Sequence, residues 1–188
     1  TSSTWQTIVY SSKWGVMFLL FLLSLNSNEL MAQDTFTLGD GTINQKTAGV
    51  TPFPTEYINS RTQYLYYGQQ LLSKGAISGN VISIAFNITE LASPAGLYPE
   101  NVRIKMKLTS DVFLGATLAN GLTEYYSSAS EVITTTGWHT FVLNMPFEWD
   151  GYSNILIEIC RSNVDFGTSF GVESTLNNAL DYRTVGLY

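Results

Sequence analysis

The sequence is poor in the residues from which metal sites and nucleophilic active sites are built. Its 188 residues contain one cysteine and one histidine, Cys160 and His139. One cysteine excludes an intrachain disulfide framework, and one cysteine with one histidine is too few for a zinc site of the Cys/His type. A serine or cysteine triad needs a histidine as base, and His139 lies on a predicted strand facing the core edge. We therefore predict that the protein is not an enzyme.

Charge is also scarce, and its balance is negative. Charged residues make up 13% of the chain, hydrophobic residues make up 45%, and the formal net charge is −6. Such a composition argues against a disordered tail or a coiled coil. The acidic balance argues against nucleic acid as a partner. The length suits one domain of ordinary size with a buried core.

The longest apolar run lies near the amino terminus. Lys13 precedes twelve uncharged residues, 14–25, whereas a membrane-spanning helix needs about 20 apolar residues. A positive residue, a short apolar stretch and a small-residue cleavage site near Ala32 are the parts of a secretory signal peptide. We predict a signal peptide over 1–33 and a mature domain over 34–188 that is secreted or at the cell surface, without a stable membrane span. An uncleaved anchor or a buried helix is the alternative for the amino-terminal segment.

Alternation of apolar and polar residues dominates the mature chain. On the run 102–108 every second residue is apolar and the residues between are basic. This pattern is typical of a half-buried antiparallel strand. Only 69–74 predicts a helix, one that ends at Gly75. Short strands with almost no helix predict an all-β fold, a jelly-roll-like antiparallel two-sheet β-sandwich. The predicted strands are 34–38, 63–67, 81–88, 102–108, 131–135, 138–145, 154–160 and 181–185, and on 81–88 the alternation places Ile82, Ile84, Phe86 and Ile88 on one face.

Carboxylates are the residues that could act either as catalysts or as calcium ligands. Glycosidases need two carboxylates about 5–9 Å apart, and Glu148 and Asp150 flank Trp149. The run 148–154 is more typical of a tight turn, however, with Asp150-Gly151 supplying the bend. We expect no cofactor. A structural Ca²⁺ at the loop carboxylates Asp40 and Asp150 is the alternative, because calcium takes six to eight oxygen ligands.

Aromatic residues make up 13% of the chain, with eleven tyrosines among them. Sugar-binding sandwiches use exposed tyrosine and tryptophan rings as stacking platforms, so these residue types are the candidate ligand-binding residues. The alternative is a ring packed on the sheet with its polar end in water. The candidates are Tyr64, Tyr66, Tyr125, Tyr126 and Trp149.

The order of several segments resembles a known family. The segments that carry the likeness are Gly39-Asp-Gly-Thr42, 51–54, 60–66, 75–86, 136–141 and 146–155, of which Gln63-Tyr-Leu-Tyr66 and Trp149-Asp-Gly151 are the more specific parts. Over about residues 34–163 the chain resembles the amino-terminal β-sandwich module of Bacteroidota exported surface proteins, many of them type IX secretion cargo. Such modules accompany adhesins, fibronectin-like repeats and secreted hydrolases, and the resemblance implies no catalytic residues.

Together these observations predict a non-catalytic secreted or cell-surface module for adhesion or carbohydrate binding, within a longer protein. Its expected partner is a glycan or a surface polymer. The alternative is an accessory domain of an exported hydrolase, a protease or glycosidase, whose catalytic part lies beyond residue 188. A third alternative is a folded spacer that holds other domains away from the cell envelope.

Overall fold

The structure is a computed structural model that describes residues 34–41, 43–47, 50–175 and 184–187. The predicted signal peptide lies outside these residues. The described ranges contain nine strands and one helix. In chain order they are β1 Ile43–Gln45, β2 Asn59–Tyr66, α1 Gly68–Ser73, β3 Gly79–Glu90, β4 Glu100–Thr109, β5 Thr123–Ser130, β6 Gly137–Trp149, β7 Asn154–Ser162, β8 Gly171–Ser174 and β9 Thr184–Leu187.

The strands form two antiparallel sheets. The four-stranded sheet has the order β1-β8-β3-β6, and the five-stranded sheet has the order β5-β4-β7-β2-β9. Every strand pair in both sheets is antiparallel. The predicted all-β, antiparallel two-sheet sandwich is therefore confirmed. In the described ranges, no helix has the length and apolar character needed to cross a membrane.

The core lies between the two sheets, where the apolar positions of the alternating strands meet. Val102, Ile104 and Met106 of β4 are buried, while the basic residues between them point away from the core. The centre of the core is aromatic: Phe53, from the loop before β2, stacks on Phe141 at 5.7 Å between ring centroids. Burying each such side chain contributes about 1.5–3 kcal/mol, so alternation on these strands explains why the sheets associate.

The structure corrects three of the predicted strands. Residues 34–38 and 131–135 are not strands, although Ile133 is buried in the core. The backbone N–H of Glu131 bonds to the Pro99 carbonyl at 2.8 Å and fixes the segment as a loop. The strand predicted over 181–185 is β9 at 184–187, with 181–183 outside the described residues. The helix predicted over 69–74 is confirmed as α1, one residue earlier.

One predicted face on β3 is wrong at its first residue. The pairing of β3 with β6 shifts register between Val81 and Ser83, so Ile82 is exposed while Val81, Ile84 and Phe86 pack against the core. An irregularity of this kind changes the side to which successive residues point. Strict alternation therefore holds from Ser83 onward and fails before it.

The two sheets differ in what covers their outer faces. On the five-stranded sheet, the loop 110–122 lies over the outer residues: Leu114 packs with Leu65 and Leu156. The Gln63 amide bonds to both backbone groups of Ala119, at 2.8 and 2.9 Å. On the four-stranded sheet, Trp138 and Val142 of β6 are among the most exposed large apolar residues of the described chain. That open face is the candidate functional site.

Candidate functional site

The open face of the four-stranded sheet carries a row of side chains that crosses all four strands. Trp138 of β6 lies opposite Asn87 of β3, and the Asn87 amide donates to Glu173 Oε2 on β8. Glu173 lies opposite Asn44 of β1. Because neighbouring strands are about 4.8 Å apart, the row is about 14 Å long. We call Trp138, Asn87, Glu173 and Asn44 the cross-strand row.

Trp138 points outward because β6 alternates. Phe141 and Leu143 are buried, and His139 shares their face, so Trp138 and Val142 must face the solvent. The Trp138 side chain is 59% exposed. A single exposed apolar residue is ordinary, but a tryptophan on an uncovered sheet face is informative because tryptophan is mostly buried on average.

The neighbours of the cross-strand row are small or neutral. Along β6, Thr140 lies opposite Ala85 and Val142 lies opposite Ser83. The ion pair nearest the row in sequence, Lys46 with Glu90 at 2.6 Å, joins the end of β3 to the residue that follows β1. The row itself contains one aromatic ring, two amides and one carboxylate, and Asn44 Oδ1 in it accepts the Thr89 hydroxyl at 2.6 Å.

The segment 39–41 contacts the row at Glu173 of β8. Gly41 has φ +65°, and a Cβ there would collide with the Glu173 carboxylate, so backbone and side chain are in close contact. The Asp40 N–H donates to Thr175 Oγ1 at 2.7 Å, which ties this segment to the residue after β8. Glu173 is thus held between the Asn87 amide and a tightly turned backbone.

The chemistry of the cross-strand row suits a hydroxyl-rich ligand. The face of an indole ring is negative and attracts the weakly positive C–H groups on one face of a sugar. Asn87 can both donate and accept hydrogen bonds, and the Glu173 carboxylate accepts them from hydroxyl groups. A few placed polar groups beside an apolar surface are what fixes a small ligand's orientation.

The predicted stacking residues occupy a different place from this row. Tyr64 and Trp149 are buried, with the Tyr64 hydroxyl bonded to the Val50 carbonyl and Trp149 Nε1 bonded to the Ser153 carbonyl, both at 2.8 Å. The other three, Tyr66, Tyr125 and Tyr126, are partly buried and pack against the core. Two of these five rings therefore lie in the interior and three lie at its margin. The alternation of β6, which puts Trp138 on the solvent-facing side of the strand, is the sequence signal that identifies an exposed ring on this face.

Asp150, a predicted calcium ligand, caps the turn between β6 and β7. Its Oδ1 accepts the N–H groups of Tyr152 and Ser153 at 3.0 and 2.8 Å, and its Oδ2 accepts the Ser153 hydroxyl at 2.5 Å. Desolvation acts to raise the pKa of Asp150, but the hydrogen bonds from Ser153 and Tyr152 outweigh it and lower the pKa. Neither Asp150 nor Asp40 belongs, in the described part of the chain, to a group of three His, Cys, Asp or Glu residues that could hold a metal.

His139 is part of a polar corner between the edge strands β5 and β6. Its Nε2 lies 3.1 Å from Glu131 Oε2, and the Tyr126 hydroxyl donates to Glu131 Oε1. Burial is the larger cause, and the hydrogen bond to Glu131 the smaller one, of a pKa of Tyr126 that is raised to about 12. The Tyr126 ring packs edge-on against Phe141. This corner therefore ties the margin of one sheet to the other.

Cys160 lies in a second polar cluster, on the outer face of the five-stranded sheet. Its thiol donates to Glu158 Oε1 at 3.2 Å, and Arg61 and Gln63 donate to Glu158 Oε2, both at 2.7 Å. Burial and the nearby Glu158 carboxylate raise the pKa of Cys160 to about 11. The thiol is therefore protonated at neutral pH, which is the unreactive form.

No family model, curated protein or solved structure matches this chain. Sandwich folds host many unrelated activities, so the fold alone carries no function. The cross-strand row and its surroundings are the features from which a function can be inferred.

Proposed function

We propose that this chain is a non-catalytic module of an exported protein, and that it binds a carbohydrate polymer through the outer face of its four-stranded sheet. The observation that carries the proposal is Trp138, which is 59% exposed on the outer face of the four-stranded sheet. It stands at one end of a row that continues with the Asn87 amide and the Glu173 carboxylate.

Charge favours a neutral glycan over other polymers. The chain has a formal net charge of −6, and Glu173 adds a carboxylate to the row itself. Both features repel nucleic acids and anionic polysaccharides. The hydroxyl groups of a neutral glycan, by contrast, can donate to the carboxylate and exchange hydrogen bonds with Asn87 and Thr140.

The exported setting is supported by the sequence. The basic residue and short apolar run within 1–33 have the features of a secretory signal peptide. The likeness over about 34–163 to the β-sandwich module of Bacteroidota exported surface proteins supports a place at the cell surface or in the medium. In that setting the module attaches its parent protein to a polymer outside the cell.

A glycan array tests the proposal. We expect the purified chain to bind one or more neutral glycans, and Trp138→Ala to weaken that binding by about tenfold or more, equivalent to at least about 1.4 kcal/mol. Asn87→Ala removes one hydrogen-bonding partner, so its loss should be smaller.

The matched control is Tyr152→Ala, which removes another aromatic ring, 73% exposed, from the turn between β6 and β7. It should bind as the wild-type chain does. Equal binding by Trp138→Ala and the wild type, with both folded by far-ultraviolet circular dichroism, would contradict the proposal.

A further inference from the structure

A second exposed apolar surface lies at one end of the sandwich, where β7 ends and β2 begins. Its side chains are between 43% and 81% exposed. Two of them belong to the loop before β2 and two to the loop after β7. We call this surface the loop-end patch, and it consists of Tyr57, Ile58, Val164 and Phe166.

The two loops that carry the loop-end patch are joined by backbone hydrogen bonds. The Asn163 N–H bonds to the Ile58 carbonyl at 2.7 Å, and the Gly167 N–H bonds to the Thr55 carbonyl at 2.8 Å. The Thr55 hydroxyl also bonds to the Thr168 carbonyl, at 2.6 Å. The backbone beneath the patch is therefore held in place before a partner binds, which reduces the entropic cost of ordering the loops on binding.

A buried arginine beneath the patch is bonded to both of its loops. Arg161 is 3% exposed, and its guanidinium donates to the carbonyls of Pro54 and Tyr57 and, at 2.6 Å, to Asn163 Oδ1. Burial lowers the pKa of Arg161 to about 10. In the part of the chain that the structure describes, no carboxylate pairs with it. A buried charge is costly, and here it serves to fix the loop that presents Tyr57.

A shallow pocket opens beside the patch, and its surroundings are acidic. The pocket has a volume of about 370 Å³ and is lined by Tyr57, Ile58, Phe166 and two polar residues, one of them Glu56. The loops 51–59 and 163–170 contain two exposed carboxylates, Glu56 and Asp165, and no lysine or arginine. The exposed surface thus combines apolar rings with two carboxylates, whereas the guanidinium of Arg161 is buried beneath it.

We propose that the loop-end patch docks a peptide segment in which apolar side chains are flanked by lysine or arginine. The pocket takes an apolar side chain, and the basic flanks pair with Glu56 and Asp165. Aromatic anchors in the centre with charge at the rim are the usual anatomy of a protein interface. This proposal is independent of the glycan face.

Charge also argues against the other occupants. A second copy seated across a two-fold axis would bring Glu56 and Asp165 towards the same carboxylates of its neighbour, which is a like-charge contact. An anionic lipid surface would be repelled for the same reason. A basic peptide is the occupant that the charges attract.

The test is an array of immobilised peptides with one apolar core and flanks of lysine, glutamine or glutamate. We expect the purified chain to prefer the lysine-flanked set, and raising the salt from about 0.1 M to about 0.5 M to weaken that binding because exposed charges are screened. Phe166→Ser should lower binding by about tenfold, or about 1.4 kcal/mol. Glu56→Lys should shift the preference towards the glutamate-flanked peptides.

The matched control is Phe113→Ser, which removes a phenylalanine that is 63% exposed in the loop after β4. It should leave peptide binding unchanged. Binding that ignores the flanking charge, or that survives Phe166→Ser, would overturn the proposal. So would sedimentation showing a dimer that Phe166→Ser dissociates, or binding to phosphatidylserine vesicles that the same variant abolishes.

Discussion

At the residue scale, the most unusual group is a carboxylate that no water reaches. Glu158 is 0% exposed, yet it lies on an outer sheet face, where its neighbours on β2 and β4 are polar. Arg61 and Gln63 bond to one of its oxygens, and Lys105 lies 3.5 Å from the other. A buried charge is tolerated when it is fully bonded, so these partners explain how Glu158 survives beneath the loop 110–122.

This arrangement gives a stability prediction with a defined pH dependence. Desolvation acts to raise the pKa of Glu158, but the hydrogen bonds from Arg61, Cys160 and Gln63 lower it below the ordinary value of 4.5. The folded state therefore gains stability from the ionised group above about pH 4.5, and this gain is lost as the pH falls through the lowered pKa. We expect Glu158→Gln to reduce the free energy of unfolding at pH 7 by about 2 kcal/mol, measured by urea unfolding.

The same measurement at acidic pH checks the sign. The difference between the wild type and Glu158→Gln should shrink as the pH falls below about 4.5. Glu124→Gln is the control: its partner Arg103 is 4.0 Å away and both side chains are exposed, so the change should be under about 0.5 kcal/mol. A difference that grows at low pH would show that ionised Glu158 does not stabilise the fold.

At the element scale, how far sequence predicts structure depends on how each strand is buried. On β4, β6 and β7 one face packs on the core along much of the strand, so alternation identifies them. Strands β1 and β8 have three and four residues, too few for a period to be seen. Strand β5 is mostly polar, and its two adjacent tyrosines, Tyr125 and Tyr126, both pack against the core where its pairing with β4 shifts register, so its sequence shows no alternation.

The candidate site, like the strands, can be predicted from the sequence only in part. Alternation on β6 places Trp138 outward from sequence alone, but its neighbours come from β3, β8 and β1, and only strand order brings them together. The tyrosines of β2 illustrate the reverse case. Tyr64 and Tyr66 share a face with hydroxyl-bearing residues of β2, and a sequence does not show whether such a face meets the core or the solvent.

The two loops that carry the loop-end patch give an element-scale prediction. Arg161→Met keeps the length of the side chain but removes the guanidinium that donates to the carbonyls of Pro54 and Tyr57. We expect stability to fall by about 2 kcal/mol. Amide hydrogen exchange should accelerate at Asn163 and Gly167, whose N–H groups join the two loops. It should change less on β3 and β6.

The control for this variant is Arg103→Met, which alters an exposed arginine whose nearest carboxylate is 4.0 Å away. Its effect on stability should be within about 0.5 kcal/mol. Unchanged exchange at Gly167 in Arg161→Met would mean that the buried guanidinium does not hold the loops, and the preorganised backbone of the loop-end patch would lose its support.

At the scale of the whole molecule, the two outer faces of the sandwich are unlike. The five-stranded sheet carries a charged cluster beneath a loop, with Gln63 bonded to Ala119 and to Glu158. The four-stranded sheet leaves Trp138 and Val142 open to solvent. This difference between the two outer faces is the basis of the proposed function.

The most direct test of glycan binding follows individual tryptophans by nuclear magnetic resonance while a neutral oligosaccharide is added to the full chain. Trp138 lies on the open face, whereas Trp149 is buried with its indole N–H bonded to the Ser153 carbonyl, so the second ring serves as an internal reference. We predict that the indole resonance of Trp138 and the side-chain amide of Asn87 shift with saturation while Trp149 stays in place. Saturable binding that leaves Trp138 unmoved, or no shift with any neutral glycan, would contradict the account.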